Sequence, residues 1–128
     1  MTELTFINKV AERARVPEDR AAALTEATLR TLAARVSGGE AADLADRVPE
    51  PLRPLLIKVQ EDPEPLSFDE FVARVAEQAE VPDDIAKRGV GAVLQAMHTT
   101  VGQREFDELM AQLPKEFGQV AHVVPGHR

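Results

Sequence analysis

A chain of 128 residues, 44% hydrophobic and 29% charged, has the size and composition of one globular domain, and its apolar runs fall far short of the roughly 20 residues needed to span a bilayer. Five Phe and no Trp or Tyr leave the core to Ala, Val and Leu, which favours close-packed helices over an aromatic-rich sandwich; the lack of Cys excludes disulfides, thiolate metal sites and a cysteine nucleophile. The net charge of −7 lies wholly in residues 61–128, so phosphate-backbone binding by that half is disfavoured and nucleic acid is not an expected partner.

Residues 1–6 carry no basic segment followed by an apolar stretch, so a cytoplasmic location without membrane insertion is expected. The apolar spacing predicts a first helix over 5–15, with Leu4, Ile7, Val10, Ala11 and Ala14 on its buried face. Val16-Pro17 breaks it, and Pro17 suits the first turn of a second helix over 17–35, where Glu18-Asp19 complements the positive end of the helix dipole. Leu24, Leu29, Leu32 and Val36 form the apolar stripe of that helix. Ser37-Gly38-Gly39 is expected as a turn, and a short third helix carries Ala41, Leu44, Ala45 and Val48 up to Pro49. A fourth segment over 52–59 closes the unit.

The acidic stretch Glu61-Asp62-Pro63-Glu64-Pro65 reads as a stiff, extended connector. Ser67 then serves as an N-cap, with Glu70 at the capping-box position. After a second Val-Pro break at Val81-Pro82, a long helix over 82–100 presents Val90, Val93, Leu94, Met97 and Val101. Gly89 and Gly91 inside it each cost about 1 kcal/mol against Ala; a neighbour packing closely is the favoured reading, with a kink and then a ligand cleft as the alternatives. Gly102 makes a turn, a third helix carries Phe106, Leu109, Met110 and Leu113, and a last segment over 117–124 is weakened by Gly118 and Val123-Val124.

Sliding the chain along itself by 65 residues aligns its halves without a gap. Phe6 meets Phe71, Val10 meets Val75, Val16-Pro17 meets Val81-Pro82, Glu40 meets Glu105, Leu44 meets Leu109 and Pro49 meets Pro114. The pattern predicts an all-α fold: a single compact helical domain over 1–128 with about eight helices, built from two tandem four-helix copies of roughly 65 residues in a pseudo-two-fold relation. The first copy covers 4–60, the connector 61–66, the second copy 67–124 and a tail 125–128.

Chemistry-bearing motifs are sparse. His98, His122 and His127 form no metal-binding helical spacing, and Gly89-Val-Gly91 lacks the preceding strand and third glycine of a dinucleotide loop. The acids common to both halves are Asp19/Asp84, Glu40/Glu105 and, conservatively, Asp43/Glu108; such pairs can serve acid–base chemistry or a cation, but capping and solvation explain them first, since Asp19/Asp84 and Glu40/Glu105 lie near helix starts. No catalytic, cofactor-binding or metal-ligating residue is therefore assigned, and no cofactor is expected. The leading expectation is a non-enzymatic helical interaction or scaffold module, binding itself or another protein, with Leu55, Leu56, Ile57, Phe117 and Val120 as its candidate contact surface. The alternative is a regulator that binds an anionic ligand or nucleic acid through Arg13, Arg30, Arg35, Arg47 and Arg53. A third is a carboxylate-based enzyme or ligand carrier using Glu40, Glu105 and His98.

The run from Ala27 to Val36, then Gly39-Glu40-Ala41, Leu44-Ala45-Asp46-Arg47-Val48-Pro49 and Leu52-Arg53-Pro54-Leu55, resembles the bacterial family catalogued as domain of unknown function 2267, and Phe68-Asp69-Glu70-Phe71-Val72-Ala73-Arg74-Val75 resembles its second half. The resemblance spans Phe6 to Phe117 and implies a small, cytoplasmic, all-helical bacterial protein. It brings no activity, cofactor or catalytic residue.

Overall fold

A computed structural model of the protein describes residues 2–57 and 62–121, all of whose regular structure is helical. In chain order these are α1 (Glu3–Ala14), α2 (Glu18–Arg35), α3 (Gly38–Ala45), a 3-10 helix (Glu50–Leu56), α4 (Phe68–Ala79), α5 (Asp83–Val101), α6 (Gln103–Ala111) and α7 (Glu116–Ala121). The expected ends of both fourth segments, part of the connector, the tail, His122 and His127 lie outside the described residues.

Local sequence accounts for most boundaries. Thr2 caps α1 by accepting from the Thr5 N–H at 3.1 Å. The capping box of α4 is complete: Ser67 Oγ accepts from the Glu70 N–H at 3.1 Å, and the Ser67 N–H donates to Glu70 Oε1 at 2.8 Å. α1 and α4 both end on a left-handed residue, Arg15 (φ 61°) and Glu80 (φ 58°), just before the Val-Pro breaks. Pro17 and Pro82 are the extended N-caps of α2 and α5, one position before the first turn.

Three expectations are corrected. Leu4 is 59% exposed, because it precedes buried Phe6 by two residues, about 200° around the helix. Ser37-Gly38-Gly39 is not a separate turn: Ser37 Oγ accepts from the Glu40 N–H at 3.1 Å, and both glycines begin α3. The segment after Pro49 is a 3-10 helix that starts at Glu50, since Pro51 and Pro54 have no N–H to donate to a longer α-helical ladder.

The helices pack crosswise. α1 lies on α5 and α4 on α2, while the long helices α2 and α5 meet in the centre. Phe117 of α7 enters edge-on against Phe68 and Phe71 of α4, with centroids 5.0 and 4.9 Å away. Gly89 and Gly91 do mark close approaches: a Cβ at Gly89 would sit 2.6 Å from Leu24 Cδ2, and one at Gly91 would sit 2.2 Å from the Val120 carbonyl oxygen. Arginines cross the same way, Arg88 donating to the Ala14 carbonyl at 3.0 Å and Arg20 to the Glu80 carbonyl at 3.2 Å. Each thereby serves a C-terminal carbonyl of a helix in the other half. After the undescribed residues 58–61, the chain is held to the body. The Glu64 N–H donates to the Ala34 carbonyl at 2.8 Å, Arg74 makes a two-pronged pair with the Glu64 carboxylate, and Arg35 Nε donates to the Leu66 carbonyl at 2.9 Å.

Candidate functional site

α3 and α6 meet along one seam and bring four carboxylates together there. α3 supplies Glu40 and Asp43, α6 supplies Glu105 and Glu108, and each pair is spaced i, i+3 so that both side chains share a helix face. Two contacts bracket the seam. At one end the Ser37 N–H donates to Gln112 Oε1 at 2.9 Å and Gln112 Nε2 donates to Ser37 Oγ at 3.3 Å. At the other, Arg47 Nε lies 3.1 Å from Glu105 Oε1. The start of α3 thus meets the end of α6, and the end of α3 meets the start of α6, so the two helices run antiparallel.

One carboxylate oxygen from each of the four residues lies within 4.8 Å of all the others. Asp43 and Glu108 are exposed, whereas Glu40 and Glu105 are each only 6% exposed. Glu40 Oε2 and Glu105 Oε2 are fully buried and meet no hydrogen-bond donor among the described residues. Burial is the largest influence on Glu40; the facing Glu105 carboxyl and the charges of Asp43 and Glu108 add to it and push its pKa up to about 8. Arg47 on Glu105 and the exposed Arg104, whose Nε lies 3.6 Å from Glu108 Oε2, neutralise only part of this charge. Two facing buried carboxyls need a proton or a cation between them, and near neutral pH the metal-free seam holds a proton on Glu40.

Of the residues proposed for carboxylate chemistry, Glu40 and Glu105 come together. His98 is occupied elsewhere, with its ring stacked on Phe106 at 4.3 Å and Nε2 2.8 Å from Gln103 Oε1. The five candidate contact residues do not form one exposed surface. Leu56 and Phe117 are buried, Leu55 and Val120 pack half-buried against the core, and Ile57 alone stands in solvent at 72% exposure. The five candidate arginines are dispersed as well. Arg30 pairs with Glu26 one helical turn back, Arg35 holds Leu66, Arg47 holds Glu105, Arg53 is exposed near the end of the 3-10 helix, and Arg13 contacts Gln95 of α5. Asp43 and Glu108 were visible in the sequence as an acidic pair, but each alone is ordinary helix-surface chemistry; their meaning comes from the packing of α3 on α6.

No helix among the described residues is long and apolar enough to cross a membrane. A search of curated proteins returns no match. The family model described as "Uncharacterized conserved protein (DUF2267)" matches residues 4–120, nearly the whole chain, and the protein belongs to that family.

Proposed function

We propose that the α3–α6 seam is a divalent-cation site and that the protein is a cation-binding helical module. The observation that carries this reading is the pair of buried, donorless oxygens, Glu40 Oε2 and Glu105 Oε2, facing two further carboxylates. A polar atom left unpaired in a protein interior costs about 1–3 kcal/mol, and more when charged, so two at one point favour an occupant with positive charge. All four donors are carboxylate oxygens, the chemistry of a hard cation such as Ca²⁺, Mg²⁺ or Mn²⁺. The spacing also suits one: oxygens on opposite sides of a cation with bonds of about 2.0–2.6 Å are about 4–5 Å apart.

The halves are read as tandem copies in a pseudo-two-fold relation, supported by the recurrence of Glu40 and Asp43 as Glu105 and Glu108, 65 residues later. A site between equivalent helices takes half its ligands from each copy, which joins the copies when the ion binds. This reading is preferred to a partner-docking module because the apolar side chains expected at a docking face are not together in solvent.

The test is calorimetric titration of chelator-stripped protein with CaCl₂, MgCl₂ and MnCl₂ at pH 7.5. The expected result is one saturable site for at least one of the three, with proton release that scales with buffer ionisation enthalpy as the ion displaces the Glu40 proton. Glu105→Gln and Asp43→Asn should each weaken binding by about tenfold or more. Flat titrations with all three ions would overturn the assignment.

A further inference from the structure

On the opposite pairing of helices, α1, α5 and α7 line an open cleft of about 670 Å³, within the range of small-ligand sites. Arg13 and Arg15 enter its lining from the end of α1, and Lys87 and Arg88 from α5; Asp84 is its one acidic lining residue among those described. Gln95 and Gln119 add amides, and Gly91, Ala92 and Val120 add a small apolar wall. That wall depends on Gly91, because any side chain there would meet the Val120 carbonyl and move α7 off α5.

Four cations around one cleft are unexpected in a chain of net charge −7, where acids outnumber bases 22 to 15. Among the described residues none of the four forms an ion pair with a carboxylate. Their contacts position them without neutralising them. Arg13 Nη1 donates to Gln95, Arg88 Nε donates to the Ala14 carbonyl, and Lys87 Nζ lies 5.9 Å from the centre of the Phe68 ring. A guanidinium has five N–H donors, so Arg13 and Arg88 retain most of theirs for a ligand.

The chain contains its own control for what the fold requires. α4 packs on α2 as α1 packs on α5, and the positions 65 residues away from the four cations are Gln78, Glu80, Ala22 and Ala23. The helix pairing therefore forms without a cation at any of them. Packing accounts for Arg88, which serves the Ala14 carbonyl as Arg20 serves that of Glu80, and the α2–α4 pairing carries Arg30 at the position matching Gln95; what distinguishes the α1–α5 cleft is that four cations line it together.

We propose that this cleft binds a small phosphate-bearing molecule through Arg13, Arg15, Lys87 and Arg88. Arginine's planar fork suits two-point contact with phosphate oxygens, and lysine supplies a point charge. A small ligand is favoured over a nucleic acid because the cationic patch is confined to one cleft and the acidic second half opposes a long polyanion. The site shares no residue with the α3–α6 seam, so either assignment can fail without the other.

The experiment is calorimetric titration of the full chain with inorganic pyrophosphate at 50 mM NaCl, with parallel titrations of citrate and of a 20-base-pair DNA duplex. Wild type is expected to bind pyrophosphate at one site. Arg15→Gln/Lys87→Gln, which changes only exposed side chains, should weaken it about tenfold or more, and Arg13→Gln should weaken it independently. Arg30→Gln, on the matching face of α2, should leave it unchanged. Absence of pyrophosphate binding overturns the proposal, as does equal binding by the double variant with an unchanged melting curve. Tighter binding of citrate overturns the assignment to phosphate, and tighter binding of the duplex, reduced by the same variants, replaces the small ligand with nucleic acid.

Discussion

Replacing Glu105 by Gln in the metal-free protein should make the protein more stable at pH 8 and less sensitive to pH. In the wild type, Glu40 titrates near its ordinary 4.5 when unfolded and at about 8 when folded. Between these values the folded state holds more protons than the unfolded state, so stability falls as pH rises through the window and levels off above about 8. At about 1.4 kcal/mol per pH unit, the cost at pH 8 and above approaches an upper limit of about 5 kcal/mol. The substituted amide would keep the size of the side chain, remove the facing carboxyl that raises Glu40, and offer a donor to its orphaned oxygen. The ion pair with Arg47 is lost, but Arg47 is half exposed and such pairs contribute no more than about 1 kcal/mol. The net expectation is about 1–3 kcal/mol of stabilisation at pH 8 and little change or a slight loss at pH 5. Urea denaturation followed by circular dichroism at half-unit intervals from pH 5 to 8.5, with EDTA present, measures both slopes. Parallel wild-type and variant profiles would refute the claim that the buried Glu40 and Glu105 carboxyls face each other.

Other sites give sharper structural checks. Gly91→Ala should destabilise by about 1–3 kcal/mol, because its methyl group would meet backbone at Val120, whereas Gly39→Ala, with nothing within 4 Å, should be neutral or slightly stabilising; thermal melts separate the two. Thr28→Val should raise the melting temperature by a few degrees, because Thr28 Oγ1 is buried without a partner and valine keeps its shape. Phe117→Ala should lower stability by about 3–5 kcal/mol in urea titrations, through loss of its contacts with Phe68 and Phe71. Ser67→Ala should cost about 1 kcal/mol, and faster amide exchange in the first turn of α4 would locate the loss.

Elements governed by neighbours in the chain were legible in the sequence. The Ser67–Glu70 capping box, the Val-Pro breaks and the apolar stripe of α5 depend on residues a few positions apart, and each stands where local chemistry puts it. The glycines of α5 could be read as close contacts, although only the fold identifies Leu24 and Val120 as the groups they admit. Glu40 and Glu105 were visible as a repeated acidic position, but a glutamate early in a helix has a sufficient local explanation. Their facing burial follows from α3 lying on α6, a contact between residues some 65 apart that no local pattern encodes. Leu56 and Phe117 were misplaced for a related reason: apolar side chains near proline-rich ends look available until the helices that cover them are in place. Arg13 was named among arginines for an anionic ligand, but its grouping with Arg15, Lys87 and Arg88 was hidden, because they become neighbours only through the crosswise pairing of α1 with α5.

That crosswise pairing also governs how the chain reaches its native state. The first helix of each half finds its main partner in the other half, and the closing arginine contacts, Arg88 to Ala14 and Arg20 to Glu80, span 74 and 60 residues. On a ribosome, α1 can meet α2 early, but its contact with α5 must wait until residues 83–101 have emerged. Because these pairings join distant parts of the chain, the protein should refold more slowly than an up-and-down bundle of equal length. Neither half closes its own core, so a fragment cut between residues 57 and 67 should stay largely unfolded until its complement is added. The same connectivity gives two chains a route to exchange halves through that segment, so concentrated refolding should produce some intertwined dimer beside the monomer.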